Sequence, residues 1–111
     1  MKTIDFEIGR KLTLQISGKQ SEAVLIIGGL GQKAPGSPWA CRCRISGILP
    51  NEKLIYGEDE IHALTNCLLF CAATLKDFNN AEQKVWWLEP GDQGGIFGPP
   101  ETGEPSAGPI P

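Results

Sequence analysis

Ile4, Phe6 and Ile8 alternate with Thr3, Asp5 and Glu7, the period-2 pattern of a strand with one buried face. Leu12, Leu14 and Ile16 repeat it against Lys11, Thr13, Gln15 and Ser17. Gly9-Arg10 between the two runs has the Gly-X form of a type II′ turn, so a tight hairpin is expected there. A second turn, Gly18-Lys19-Gln20, leads into a strand over Glu22 to Ile27, whose more continuous apolar run suits the middle of a sheet. Four glycines and two prolines between Gly28 and Pro38 predict a loop. Trp39, Cys41, Cys43 and Ile45 then face one way and Ala40, Arg42, Arg44 and Ser46 the other, which predicts a fourth strand. Lys53 to Tyr56 is expected to form a short fifth one, ending at Gly57.

The period then changes. Asp59 is a suitable helix N-cap, Glu58 and Glu60 complement the positive end of a helix dipole, and neither Gly nor Pro recurs before Pro90. The spacing predicts a helix from Glu60 to Lys76, with Ile61, Leu64, Cys67, Leu68, Cys71, Leu75 and Phe78 as its apolar stripe. His62, Asn66, Ala73 and Lys76 lie opposite, and Lys84 to Leu88 forms a final edge strand. The expected fold is α+β: a mainly antiparallel β-meander of four to six strands with one long amphipathic helix packed on one face. Residues 1–90 make the single domain. Residues 91–111 hold six glycines and five prolines and should be an irregular tail, mobile at its end.

At 111 residues the chain has material for one core. Net charge of -3 and a pI near 5.1 argue against a nucleic-acid partner, which would call for a basic footprint. No apolar run approaches the roughly 20 residues of a bilayer span, and no signal-peptide pattern opens the chain, so no membrane association is expected and the cytoplasm is the expected compartment. Four cysteines in such a compartment read as free thiols or metal ligands before they read as disulfides.

Candidate chemistry is sparse. Cys41 and Cys43 should point inward from their strand, toward Cys67 and Cys71 on the helical stripe. Tetrahedral zinc needs sulfurs within roughly 4 Å of one another, whereas residues two apart on a strand are separated by about 6.5–7 Å. Packing as small core hydrophobes is therefore favoured over a metal site, which would use Cys41, Cys43, Cys67 and Cys71 if it formed. His62 is the lone histidine, placed on the solvent side of the first helical turn, and no hydrolytic triad can be assembled around it. Gly28-Gly29-Leu30-Gly31-Gln32-Lys33 fails as a phosphate loop because Pro35 and Pro38 forbid the helix that must follow. No cofactor is expected. Arg42 and Arg44 share an outer strand face and could grip an acidic partner. Trp86 and Trp87 in an extended segment must point to opposite sides; the exposed ring beside Leu69 and Phe70 would make an apolar interaction patch, unless Ile96 and Phe97 of the tail fold back over it.

Trp39-Ala40-Cys41-Arg42-Cys43-Arg44-Ile45-Ser46-Gly47, followed by Gly57-Glu58-Asp59-Glu60-Ile61-His62-Ala63-Leu64, resembles a family of small bacterial proteins catalogued as a domain of unknown function. That family's pattern is W-x-C, Ile-x-Gly a few residues on, and G-x-D-x-x-Q-A-L opening a long helix. Gly94-Gly95-Ile96-Phe97-Gly98-Pro99 is similar to its closing segment, so the resemblance spans residues 39 to 100. His62 stands where the family has Gln, Cys67 where it has a small residue such as Ala, and Cys43 lies outside the pattern. The resemblance implies a fold and a compartment and no catalytic residue. The expected function is a non-catalytic protein-interaction module, of immunity or accessory type, for an unidentified protein partner or a second copy of the chain. The alternative is a metal- or redox-linked module using the four cysteines, and a third reading is an enzyme with a pocket between the glycine segment and the helix N-terminus.

Overall fold

The computed structural model describes residues 2–80 and 82–86. Strands β1 (Lys2–Ile16), β2 (Lys19–Gln32), β3 (Trp39–Ile45) and β4 (Lys53–Gly57) precede helix α1 (Glu60–Phe78), and β5 (Gln83–Trp86) follows it. The five strands form one antiparallel sheet in the order β4-β3-β2-β1-β5, so the first four make a meander and β5 is added beside β1. The α+β architecture read from the pattern is thus the observed one. Helix α1 packs on β4, β3 and β2 and touches β5 at the far edge, which a curled sheet permits.

The hairpin expected at Gly9-Arg10 does not form; β1 runs straight through it. The physical reason lies in the pairing. A two-residue turn there would set Ile8 opposite Lys11 and Leu12 opposite Glu7, mixing apolar and charged side chains on each face. The observed turn at Ser17-Gly18 sets Leu12 opposite Ala23 and Ile8 opposite Ile27. Ser17 and Gly18 carry φ values of 50 and 84°, the two left-handed positions of a type I′ turn.

The loop expected from Gly28 is also displaced, since β2 continues to Gln32 and the irregular segment begins at Lys33. Gly29 accounts for this. It is an extra residue between the Gly28–Arg42 and Leu30–Cys41 pairs, at φ +76°, so the strand absorbs it as a bulge. A Cβ at Gly29 would also collide with the Arg42 guanidinium, whose Nε donates to the Gly28 carbonyl at 3.1 Å.

The core lies between the sheet and α1. Trp39, Cys41, Cys43 and Ile45 are buried, as their alternation predicts, against Leu12, Leu14, Ala23, Leu25, Ile27 and Leu30. The helix presents the expected stripe in part: Cys67, Cys71 and Leu75 are buried and Leu64 and Phe78 pack against the core, but Ala63 takes the place of Ile61 and Leu68. Ala63, Cys67, Cys71 and Leu75 are its buried residues, while Ile61 and Leu68 are 76% and 44% exposed. A strict i, i+4 ridge is inclined to the helix axis, so α1 crosses the strands obliquely on small side chains. Gly57 permits the approach, because a Cβ there would fall on the backbone of His62 and Ala63. Ile4 and Ile8 point to the same side as the core but remain 43% and 63% exposed, since α1 does not reach β1. Asn66, expected in solvent, is half-buried and donates to the Tyr56 carbonyl at 2.9 Å.

Candidate functional site

The cysteines lie in the buried interface between helix and sheet. Cys41 and Cys43 lie two apart on β3, and Cys67 and Cys71 are one turn apart on α1. All four are free thiols with 0 or 1% exposure. The sulfurs of Cys43, Cys67 and Cys71 lie within 4.8 Å of one another. Cys41 sits beside the trio rather than in it: its sulfur and that of Cys67 each lie 4.0 Å from the Arg42 carbonyl. The expectation that the four thiols point inward is met, and the close trio takes one thiol from β3 and two from α1, so the Cys41–Cys43 strand spacing does not limit it.

The trio does not share a proton evenly. S–H donation from Cys67 and then Cys71 lowers Cys43, so negative charge settles there first. Cys67 is pushed up by its bonds to Cys43 and Cys71 and by burial, and Cys71 is pushed up to about 12, chiefly by its bond to Cys43. Burial raises Cys41. A core thiol so placed is a poor nucleophile toward anything in solvent, because neither access nor a solvated thiolate is available.

The second feature is the sheet face turned away from α1. Arg42 and Arg44 project from it, as expected, and β4 adds Leu54 and Tyr56, which are 49% and 55% exposed. Arg42 pairs across the strands with Leu54, and Ala40 with Tyr56, so cations and apolar groups interleave. A hollow of about 350 Å³ beside Arg42 is lined by Gly29, Gly31, Lys33, Ala40 and Leu54, where the glycines leave the surface without side chains. Leu54 and Tyr56 were missed because a five-residue strand does not reveal which of its faces is covered.

A hollow of about 280 Å³ does lie between Gly36-Ser37-Pro38 and the start of α1, bordered by Tyr56, Glu58 and His62. His62 faces it as a capping residue. Its Nδ1 accepts from the Glu58 N–H at 2.9 Å, while its own N–H donates to Asp59 Oδ1 at 2.8 Å. This is a variant of the capping box: His62, at the third helical position where Gln or Glu commonly serves, reaches back to the N–H of Glu58, one residue before the Asp59 cap, instead of to the cap's own N–H.

With that geometry in place, residues 8–97 match DUF6968, a family described as a domain of unknown function. The chain belongs to that family. The match reaches farther toward the N-terminus than the resemblance carried by residues 39 to 100, and it begins at Ile8, just past the point where the β1–β2 register shifts between Ile4 and Glu7. No curated protein and no solved structure matches the chain. The DUF6968 match therefore covers every candidate side chain without assigning a role to any. Among the described residues no helix is long and apolar enough to cross a membrane.

Of the apolar patch expected around the tandem tryptophans, the described residues include Trp86, Leu69 and Phe70. Within this DUF6968 chain Val85 is the buried residue of β5, paired with Leu14, and Trp86 is half-buried on the opposite, outer face, paired with Thr13. Leu69 is 62% exposed on α1, which covers the inner face, and Phe70 packs against the core. Trp86 cannot lie beside them, since the sheet stands between. Trp87 and the tail residues 91–111 lie outside the described residues.

Proposed function

We propose that this chain is a non-catalytic protein-interaction module that docks a partner on the sheet face turned away from α1. The observation that carries this reading is the interleaving of Arg42 and Arg44 with the exposed Leu54 and Tyr56. Arg and Tyr are the side chains that dominate binding energy at protein interfaces, where a guanidinium grips carboxylates and a ring fills a pocket. Among the described residues β4 pairs only with β3, so its other edge is open to an added strand. The partner this chemistry fits is an extended acidic segment of another protein, laid along β4 with apolar side chains over Leu54 and Tyr56. Trp86 is too far along the sheet to join that contact, three strand spacings or roughly 14 Å from β3.

The reading extends to compartment and organisation: a cytoplasmic protein with residues 1–90 as its domain, in keeping with four unpaired thiols. An immunity or accessory role is the biological setting in which such a module acts by occupancy alone. The test starts from the native host. Affinity capture should recover a stoichiometric partner, and calorimetry on the purified pair should show Tyr56→Ala weakening binding about 30-fold and Arg44→Glu raising the dissociation constant further as salt is lowered. A chain that stays monomeric at high concentration and recovers no stoichiometric partner would count against the proposal, as would a partner indifferent to both substitutions.

A further inference from the structure

The thiol trio is more than core filling would require. Leu, Val or Ala at positions 43, 67 and 71 would fill the same space without collecting sulfurs from two elements. Metal–sulfur bonds of about 2.3 Å place three ligating sulfurs about 3.8–4.0 Å apart. The three sulfurs here lie within 4.8 Å of one another, so side-chain adjustments of less than about 1 Å close them on one ion. Cys41 is not equivalent. It contacts the Cys67 thiol but is not one of the three whose sulfurs all lie within 4.8 Å of one another.

We propose that Cys43, Cys67 and Cys71 form a three-thiolate site for a soft divalent d10 ion of the zinc group, tying β3 to α1, with Cys41 packed beside it and not ligating. Thiolate donors select such ions over the hard cations that carboxylates hold. Charge selects among the soft ones. Three thiols give up three protons, so a divalent ion leaves the site at −1 and a monovalent ion at −2. The described residues bury no charged side chain that could balance the larger deficit. The binding free energy would appear as folding free energy, because the unfolded chain does not hold the two elements together. The site is independent of the outer sheet face and stands or falls separately from it.

Because the sulfurs are inaccessible in the folded chain, the full-length protein is refolded anaerobically from urea with one equivalent of Cd²⁺, the spectroscopic probe for the zinc group. The expected result is one Cd²⁺ per chain retained through desalting, a sulfur-to-cadmium charge-transfer band in the ultraviolet, and release of protons on loading. Cys41→Ala should keep the ion and the band. Cys67→Ala, which leaves the side chain that α1 already carries at Ala63, should lose both while keeping its far-ultraviolet circular dichroism. Cys43→Ala makes the same test from the strand side. A folded wild-type chain that retains no Cd²⁺ overturns the site. Retention by Cys67→Ala, or equal loss by Cys41→Ala, overturns the assignment of these three ligands.

Discussion

A single hydrogen at Gly57 decides how close α1 can come to the sheet. A Cβ there would fall on the Ala63 nitrogen and the His62 carbonyl carbon, and backbone cannot swing aside as a long side chain can. Gly57→Ala is therefore expected to cost about 2–3 kcal/mol, read as a lower urea midpoint at unchanged slope. The neighbouring cap sets a smaller scale. Asp59→Ala removes the acceptor for the His62 N–H and should cost about 1 kcal/mol, while His62→Gln offers an amide oxygen in place of Nδ1 and should change stability by less than about 0.5 kcal/mol. If His62→Gln proved the costlier of the two, the imidazole would have a role beyond capping. Asp59 and the exposure of His62 were legible in the sequence, because capping preferences are local. The backward bond from His62 to Glu58 was not, because the sequence read the imidazole only as a surface group. Gly57 was legible as the end of a strand, but its closeness to α1 exists only once the two elements meet.

Elements were legible where one face is covered along its whole length. Trp39, Cys41, Cys43 and Ile45 alternate cleanly because α1 and Leu25, Ile27 and Leu30 bury every second side chain of β3. β1 was misread as two strands, although the sequence held the correction. Ile8 and Leu12 share parity across Gly9-Arg10, which one strand satisfies and a two-residue turn violates. The helix was placed to within two residues and Cys67, Cys71 and Leu75 were rightly put on its buried side, but hydropathy favoured Ile61 and Leu68 where oblique packing on small residues selects Ala63. The connection from α1 to β5 rests on a residue that composition alone does not single out. Asn79 Nδ2 donates to the Leu75 carbonyl at 3.2 Å, and its Oδ1 accepts from the Val85 N–H at 2.8 Å, so one amide joins the last helical turn to β5. Asn79→Ala should cost about 1–3 kcal/mol, and Asn79→Asp, which keeps only the acceptor, should fall between it and wild type in urea denaturation. Equal stability of all three would mean that packing, not this amide, positions β5.

At the scale of the whole molecule, coverage is lopsided. Helix α1 lies over β4, β3 and β2, and β5 supports only the Thr13–Ile16 end of β1. Among the described residues, the stretch of β1 before Thr13 thus has β2 as its single strand neighbour and no helix above it. Opening the first part of that stretch, Thr3 to Ile8, gives up the partial burial of Phe6 and of Ile4 and Ile8, which are already 43% and 63% exposed, but no fully buried side chain. Opening β2 or β3 exposes Ile27, Ile45 and the thiols, all buried now, and disrupts the contact with α1. Local unfolding follows this difference in lost burial rather than the count of ladder hydrogen bonds. Native-state hydrogen exchange should accordingly divide β1 within its own length. Amides of Leu12 and Leu14 should exchange with the slow core group of β2 and β3, and amides from Thr3 to Ile8 should exchange faster by at least about tenfold, equivalent to roughly 1.4 kcal/mol of opening free energy. Uniform protection from Thr3 to Ile16 would show that something beyond the described residues covers the inner side of β1, and would shift the search for a docking surface away from that side.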